Sequence, residues 1–397
     1  LLLSRRARSI QPSATLAISA KAKEMRAQGK PVIGFGAGEP DFDTPEHIKA
    51  AAIEALQKGD TKYTPASGTP RLREAIARWT SKDVGLDFSP AEVVVSCGAK
   101  HSLYNIFMAL CQQRDEVIIP SPFWLSYPEM ATLSGAKSVF LPLREEDGYR
   151  VDIEALRKLI TPKTKALILN SPSNPTGTMW TEEELRQVAE LALERKFLIV
   201  SDDTYNKIVY GENPFKSIVS LVPEVRDKTI LVNCVSKTYA MTGWRIGWAI
   251  GPKKIMKAID GIQSHSTSNP TSFAQAGAVA ALEGPQDCVQ VMVREFKERR
   301  DLMMGLLAGI PQARAVKPTG AFYVFVNVSD CYGKSCDGTS VNSSVDMVKF
   351  LLEKVLLAVV DGASFGSDDH IRLSYATSRD QIEQGLKRLG EGLAALS

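Results

Sequence analysis

Short apolar runs rich in β-branched residues recur through the middle of the chain, in AEVVVSCG, DEVIIPSPFW, SVFLPL, KALILNSP, FLIVSDD and KTILVNCVSK. Between several of them lie stretches with helical spacing of apolar positions, such as KHSLYNIFMALCQQ and TEEELRQVAELALERK, the second opened by a Thr cap. Strands that alternate with helices predict a largely parallel sheet covered by helices on both faces. Upstream, AISAKAKEMRAQG (17–29), EHIKAAAIEALQKG and RLREAIARWTSKDVG read as helices, and KYTPASGTP as a loop. Beyond about residue 285 the texture changes. A long charged helix, CVQVMVREFKERRDLMMGLLAG, precedes the strand GAFYVFVNV, the helix SSVDMVKFLLEKVL, the strand HIRLSYA and a closing helix, RDQIEQGLKRLGEGLAAL. The Gly- and Ser-rich CYGKSCDGTSVN reads as a loop. The pattern predicts an α/β protein with a large unit over 46–284 and a smaller α+β unit formed by 1–45 and 285–397.

Length agrees with two units, since 397 residues exceed what a single core usually holds. A net charge of +3 with 23% charged residues gives no basic tract for nucleic acid, and no run of 18 apolar residues marks a membrane span. The six cysteines form no CxxC pair and the four histidines lie far apart, which argues against a zinc site and a disulfide framework. The start, LLLSRRARS, lacks a signal-peptide core. The expectation is a reduced, cytoplasmic protein.

Candidate chemistry sits where parallel strands end, the rim at which open sheets bind ligands. KALILN runs into SPSNPTG with Asn174, FLIVSDD ends at Asp202 with Tyr205 close behind, and TILVNCVSK ends at Lys237. Between Asp227 and Asp260 there is no acidic residue, so Lys237 and Arg245 find no counter-charge close in sequence. A lysine in an apolar pocket is partly neutral and suits imine formation, whereas arginine suits phosphate. EVVVSCG opens a helix at Gly98, Ala99 and Lys100, whose free amides make an anion site. GFGAG is followed by PDFDTP where a dinucleotide motif needs a helix, so its glycines are read as close-approaching backbone. An amine, a carboxylate, an amide, a phenol and an arginine on one rim match the polar groups of pyridoxal 5'-phosphate, with Trp124 offering a flat face for its ring.

The ordered set SPSNPTG, SDDTY and SKTYAMTGWRIG resembles the class I pyridoxal-phosphate aminotransferases of fold-type I, and GAGEPDFDTP, KYTPASG, PFWLSYPE and IRLSYATS extend the resemblance over nearly the whole chain. It is nearest to the bacterial and plant aspartate aminotransferase branch that includes prephenate-accepting members. The resemblance implies that Lys237 is the Schiff-base lysine, Asp202 the partner of the ring nitrogen, Asn174 and Tyr205 donors to the ring's phenolate oxygen, and Trp124 the stacking ring. It places Arg245, Ser236 and the Gly98–Lys100 turn on the phosphate, with Tyr63 reaching the phosphate of a neighbouring subunit in a homodimer. Arg372 becomes the clamp for the substrate α-carboxylate, Gly38 a backbone contact to it, and Lys100 and Thr15 the holders of a distal carboxylate. The implied activity is reversible, ping-pong amino transfer between L-aspartate and 2-oxoglutarate.

Several positions depart from the family pattern, among them SDDTY where SDEIY is commoner, which keeps Asp202 and Tyr205. Cys234 stands where serine or glycine is usual, which removes a phosphate contact. Asp361 in VVDGASFG replaces a proline, which predicts a looser loop near the entrance. Gln11 stands where prephenate-accepting relatives tend to carry lysine, which argues against prephenate. The alternatives are an aspartate/prephenate aminotransferase or another amino-acid aminotransferase and, more distantly, a pyridoxal-phosphate lyase or a cofactor-sensing regulator, for which the chain shows no helix-turn-helix.

Overall fold

The computed structural model describes residues 2–211 and 213–397; Leu1 and Glu212, which the sequence assigns to the smaller and the larger unit, lie outside. Seven strands form the main sheet: β1 (Val93–Ser96), β2 (Glu116–Ser121), β3 (Lys137–Pro142), β4 (Thr164–Asn170), β5 (Leu198–Asp202), β6 (Thr229–Cys234) and β7 (Gly247–Ile250). Their spatial order is β1-β7-β6-β5-β4-β2-β3, and every pairing is parallel except the two made by β7. The six predicted strands are all present. The seventh, GWAI, is too short to show a period of its own and sits inside a stretch dominated by polar chemistry.

Both faces of this sheet are covered, which explains why its strands read as unbroken apolar runs. Val93, Val95, Leu167, Leu169, Ile199 and Leu231 pack into one core with helices Glu46–Gln57, Pro70–Val84, Glu182–Arg195 and Ser272–Glu283. The residues between them, Val94, Ile168, Val200, Ile230 and Val232, enter a second core with helices Ala99–Leu110, Ser126–Ser134 and Lys253–Ser264. Local signals set the ends of these helices. Thr181 accepts from the Glu184 amide while Glu184 reaches back to the Thr181 amide, a capping box whose loss costs about 1 kcal/mol. Gly85 closes Pro70–Val84 in the left-handed conformation.

A four-stranded antiparallel sheet follows, made of β8 (Arg314–Ala315), β9 (Tyr323–Asn327), β10 (Val360–Asp361) and β11 (His370–Ser374) in the order β10-β11-β9-β8. Its core takes in helices Asp287–Leu307, Ser344–Val355 and Arg379–Ala394, and also Tyr205, Ile208 and Tyr210 from just beyond β5. The N-terminal segment joins this region, with Ile33–Gly34 pairing in parallel with Leu357–Ala358.

Three local expectations change. The helix expected at 17–29 runs over Ala14–Ala27, because Ser13 caps it and so places Thr15 in its first turn. CYGKSCDGTSVN is not a plain loop: Lys334–Cys336 and Thr339–Val341 form a hairpin whose turn, Asp337-Gly338, has positive φ at both residues. Asp361, expected to loosen its loop, ties into it, its carboxylate accepting from the Ser364 amide at 2.8 Å within the turn Ala363–Phe365. Among the described residues no helix is long and apolar enough to cross a membrane.

Candidate active site

The carboxyl ends of β4, β5 and β6 form the floor of a cavity of about 500 Å³. Asn170, the last residue of β4, ties two of these ends together: its amide donates to the Asp202 carbonyl at 3.1 Å, and its Oδ1 accepts from the Asn174 amide at 2.9 Å. The buried Asp202 carboxylate accepts from the Tyr127 hydroxyl at 2.7 Å and from the Thr204 amide at 3.3 Å. Burial pushes this carboxyl up, and the Tyr127 and Thr204 hydrogen bonds oppose the shift. Lys237 lies on the single helical turn Val235–Thr238 that leaves β6, and its ammonium donates to the Gly38 carbonyl. Burial lowers its pKa to about 8; nearby Cys234 and Glu39 oppose that shift, while Arg245 and Arg372 add to it. The amine is therefore still mostly protonated near physiological pH, but its neutral fraction is far larger than that of an ordinary lysine.

One end of the cavity is shaped for an anion. Gly98, with φ 90°, caps helix Ala99–Leu110 and leaves the first amides of that helix free. A Cβ at Gly98 would come within 2.4 Å of Arg245 Nη2, so only glycine lets the guanidinium lie against this turn. Arg245 is itself left-handed (φ 56°), and it donates to the Thr242 carbonyl at 2.8 Å and the Cys97 carbonyl at 3.3 Å. Beside it, the Lys100 ammonium sits 4.8 Å from the centre of the Trp124 ring, and burial followed by the Arg245 charge pulls its pKa down. Trp124 packs edge-on against Tyr127.

At the other end stands Arg372 on β11, only 1% exposed. It donates to Asn174 Oδ1 at 2.9 Å and to the Gly36 carbonyl at 3.0 Å, and Nε has no partner. The Tyr323 and Phe365 rings lie 4.4 Å and 5.0 Å from its guanidinium. Among the described residues no carboxylate forms a salt bridge with Arg372, Arg245, Lys100 or Lys237. A buried guanidinium without an acid is costly unless an anion arrives.

Lys237, Asp202, Tyr205, Asn174, Ser236, Arg245, Ala99, Lys100, Trp124, Gly38, Thr15 and Arg372 thus come together around one cavity. Gly98 stands behind Arg245, whereas Tyr63 is 90% exposed on a loop outside the cavity. Gln11 is exposed ahead of helix Ala14–Ala27, and Cys234 lines the floor with its thiol 3.9 Å from Thr204 Oγ1. The sequence reading misses Tyr127, Asn170 and Tyr323, whose hydroxyl lies 2.9 Å from that of Tyr205. It also misses Glu39, which accepts from the Thr242 hydroxyl at 2.6 Å. For Tyr127 a signal existed, because it follows Trp124 by three residues in PFWLSYPE, the span of a turn, and its amide donates to the Trp124 carbonyl at 3.0 Å just ahead of helix Ser126–Ser134.

A neutralisable lysine, a buried carboxylate and an arginine beside a free helix start, at the strand ends of one sheet, define a site for amine and carbonyl chemistry on an anionic cofactor. The family model for aminotransferases of class I and II matches residues 30–389, and the chain belongs to that family. Its members are pyridoxal-phosphate-dependent transaminases. The chain is 48% identical over 387 residues to an aspartate aminotransferase of Geobacillus stearothermophilus, covering 98% of each protein. It is 46% identical to a probable aspartate/prephenate aminotransferase of Aquifex aeolicus, again over 98% of each. The solved structure of the Thermus thermophilus aspartate aminotransferase with maleate superposes with a TM-score of 0.93 at 41% identity, over 99% of this chain and 100% of that one.

Proposed function

We propose that this transaminase is an aspartate aminotransferase that exchanges amino groups between L-aspartate and 2-oxoglutarate with pyridoxal 5'-phosphate as cofactor. The observation that carries the reading is Arg372, a fully buried guanidinium with an unpartnered Nε and, among the described residues, no salt-bridged acid, on the wall of the cavity that holds the Lys237 amine. The residues present fit the cofactor. Lys237 offers a partly neutral amine, Asp202 a carboxylate that gains a partner if a protonated nitrogen lies beside it, and Arg245 with the Gly98–Ala99 turn a phosphate cradle.

When bound, pyridoxal phosphate supplies an aldehyde that condenses with amines and a ring that draws electrons from the substrate Cα. Lys237 would hold the aldehyde group through its amine and, with that amine free, would take the proton from the substrate Cα. Asp202, oriented by Tyr127 and Thr204, would hold a proton on the ring nitrogen. Asn174 and Tyr205 would donate to the ring oxygen, and Trp124 would offer its flat face to the ring. Arg245, Ser236 and the free Ala99 amide would bind the phosphate, the Gly98 amide being taken by the Ser96 carbonyl at 2.7 Å. Arg372 grips the α-carboxylate with two parallel donors, helped by the close approach of Gly38, and Lys100 and Thr15 hold the distal carboxylate. The maleate bound to the Thermus thermophilus enzyme is a dicarboxylate, in keeping with Arg372 and Lys100 as holders of two carboxylates beside the phosphate cradle.

The chain works as a homodimer in the cytoplasm, with 46–284 as the cofactor-binding unit and 1–45 with 285–397 as the smaller one. Tyr63 of each subunit reaches the phosphate held by the other. Prephenate, the second substrate in the names of several relatives, is a poor substrate here, since exposed Gln11 supplies no charge where it would enter. The test is a panel of amino donors and oxo acids, read as half-reaction rates from the cofactor's absorbance change. Aspartate and glutamate should exceed alanine at least about tenfold in specificity constant, the worth of one charge-assisted contact. A preference for alanine or an aromatic amino acid, or prephenate turnover equal to that of oxaloacetate, overturns the reading. Product release without an oxo acid identifies a lyase.

A further inference from the structure

The loop that carries Tyr63 is fixed from beneath by side chains outside the cavity. Gln263 and Gln275, on helices Lys253–Ser264 and Ser272–Glu283, are both 0% exposed. Gln275 accepts from the Thr69 amide at 2.8 Å and donates to the Thr64 hydroxyl at 3.1 Å and to the Pro270 carbonyl at 2.9 Å. Gln263 donates to the carbonyls of Ala66 and Val95, and its own carbonyl accepts from Asn105 at 3.0 Å. Ser67 accepts from the Val95 amide at 2.9 Å, and Ser272 donates to the Asp60 carbonyl at 2.6 Å. Gly68 has φ 96°, and a Cβ there would strike Val95 at 2.6 Å.

The loop is therefore held at residues 60, 64, 66, 67 and 69, while the side chain between the first two anchors, Tyr63, projects 90% exposed. Burying two primary amides loses rotamer freedom and hydration, which a plain surface turn has no need to do. That expense makes sense if the direction of the exposed phenol matters.

We propose that Gln263 and Gln275 are positioning residues that aim Tyr63 at the cofactor phosphate of the partner subunit, Gln275 through Thr64 and Gln263 through Ala66. The proposal rests on the reading that Tyr63 binds that phosphate. Preorganisation of this kind gives affinity by removing an ordering cost before the ligand arrives.

A double-mutant cycle on cofactor affinity tests it, with pyridoxal phosphate titrated into the dimeric apoenzyme and followed by absorbance and protein fluorescence. Tyr63→Phe should weaken binding about ten- to a hundredfold, as expected for losing a hydrogen bond to a charged group. Gln275→Leu should weaken it at least about fivefold in the wild-type background and less than about twofold in the Tyr63→Phe background. Thr64→Val removes only a half-exposed hydroxyl and should show the same collapse with a smaller shift, which keeps the test decisive if Gln275→Leu does not fold. Equal weakening by Gln275→Leu or Thr64→Val in both backgrounds assigns the amides a purely structural role and overturns the proposal. So does unchanged affinity in these variants while Tyr63→Phe weakens binding. Unchanged affinity in Tyr63→Phe itself overturns the phosphate reading, and the proposal with it.

Discussion

The two ends of the cavity are built differently. The end that holds Asn170, Asp202 and Lys237 is a consequence of one sheet, since neighbouring parallel strands deliver their carboxyl ends to the same rim. The end that holds Arg372 is assembled from segments far apart in the chain: Arg372 reaches Asn174 on one side and Gly36 on the other, and Ser13 and Thr15 come from the N-terminal helix. One end is set by topology and the other by how separate pieces pack. Substitutions at the sheet end should therefore strike the chemistry or cofactor retention, and those at the assembled end substrate capture alone.

The sharpest way to break this contrast is Lys237→Ala. Transamination should fall about 10⁴-fold or more while the cofactor still binds through phosphate and ring contacts, and single-turnover spectra with cofactor titration check both halves. In the wild-type apoenzyme the Lys237 amine loses its proton near pH 8 instead of 10.5, so its labelling rate by an aldehyde followed by borohydride should climb with pH up to about 8 and then level. A rate still climbing at pH 10 would remove the case for a tuned amine.

Arg372→Lys comes next. A lysine cannot reproduce two parallel donors, and kcat/KM should drop about a hundredfold for aspartate and alanine alike, with cofactor affinity unchanged. A matching loss of cofactor affinity would show that the two ends are not separable. Lys100→Ala should cost dicarboxylic substrates about tenfold and alanine little, read from the ratio of specificity constants. Smallest is Tyr127→Phe, expected to lower kcat about fivefold at neutral pH. Because the Tyr127 hydrogen bond holds the Asp202 carboxyl down, its loss raises that pKa, and the acid limb of the rate profile should move to higher pH.

The same contrast explains what could be read from the sequence. β4, β5 and β6 announce themselves as apolar runs, and Asn174, Asp202 and Lys237 follow from where those runs stop. Arg372 carries no such sign, because nothing in HIRLSYA reveals that the fourth to sixth strands of another sheet lie opposite; only resemblance pointed to it. Tyr323 and Glu39 stay hidden for the same reason, since each acquires its role from a partner distant in sequence, Tyr205 and Thr242 respectively. Asp361 shows the reverse error: a substitution judged by the residue it replaces looks loosening, yet its carboxylate finds a free amide three residues on.

The charges on the cavity wall do not balance: among the described lining residues, four cations, Lys100, Lys237, Arg245 and Arg372, face the two carboxylates Glu39 and Asp202. Arg245 depresses the protonation of both lysines, so the cations feel one another. The folded protein thus stores repulsion that any entering dianion discharges, and a ligand at a hundred times its Kd adds about 2.7 kcal/mol to stability. Sulfate or inorganic phosphate in a storage buffer should raise the melting temperature and, by the same occupancy, slow turnover. Ionic strength enters a second time, because the field that draws oxo acids inward weakens as salt rises. Thermal protection and competitive inhibition are then one property of the cavity, measured with two instruments.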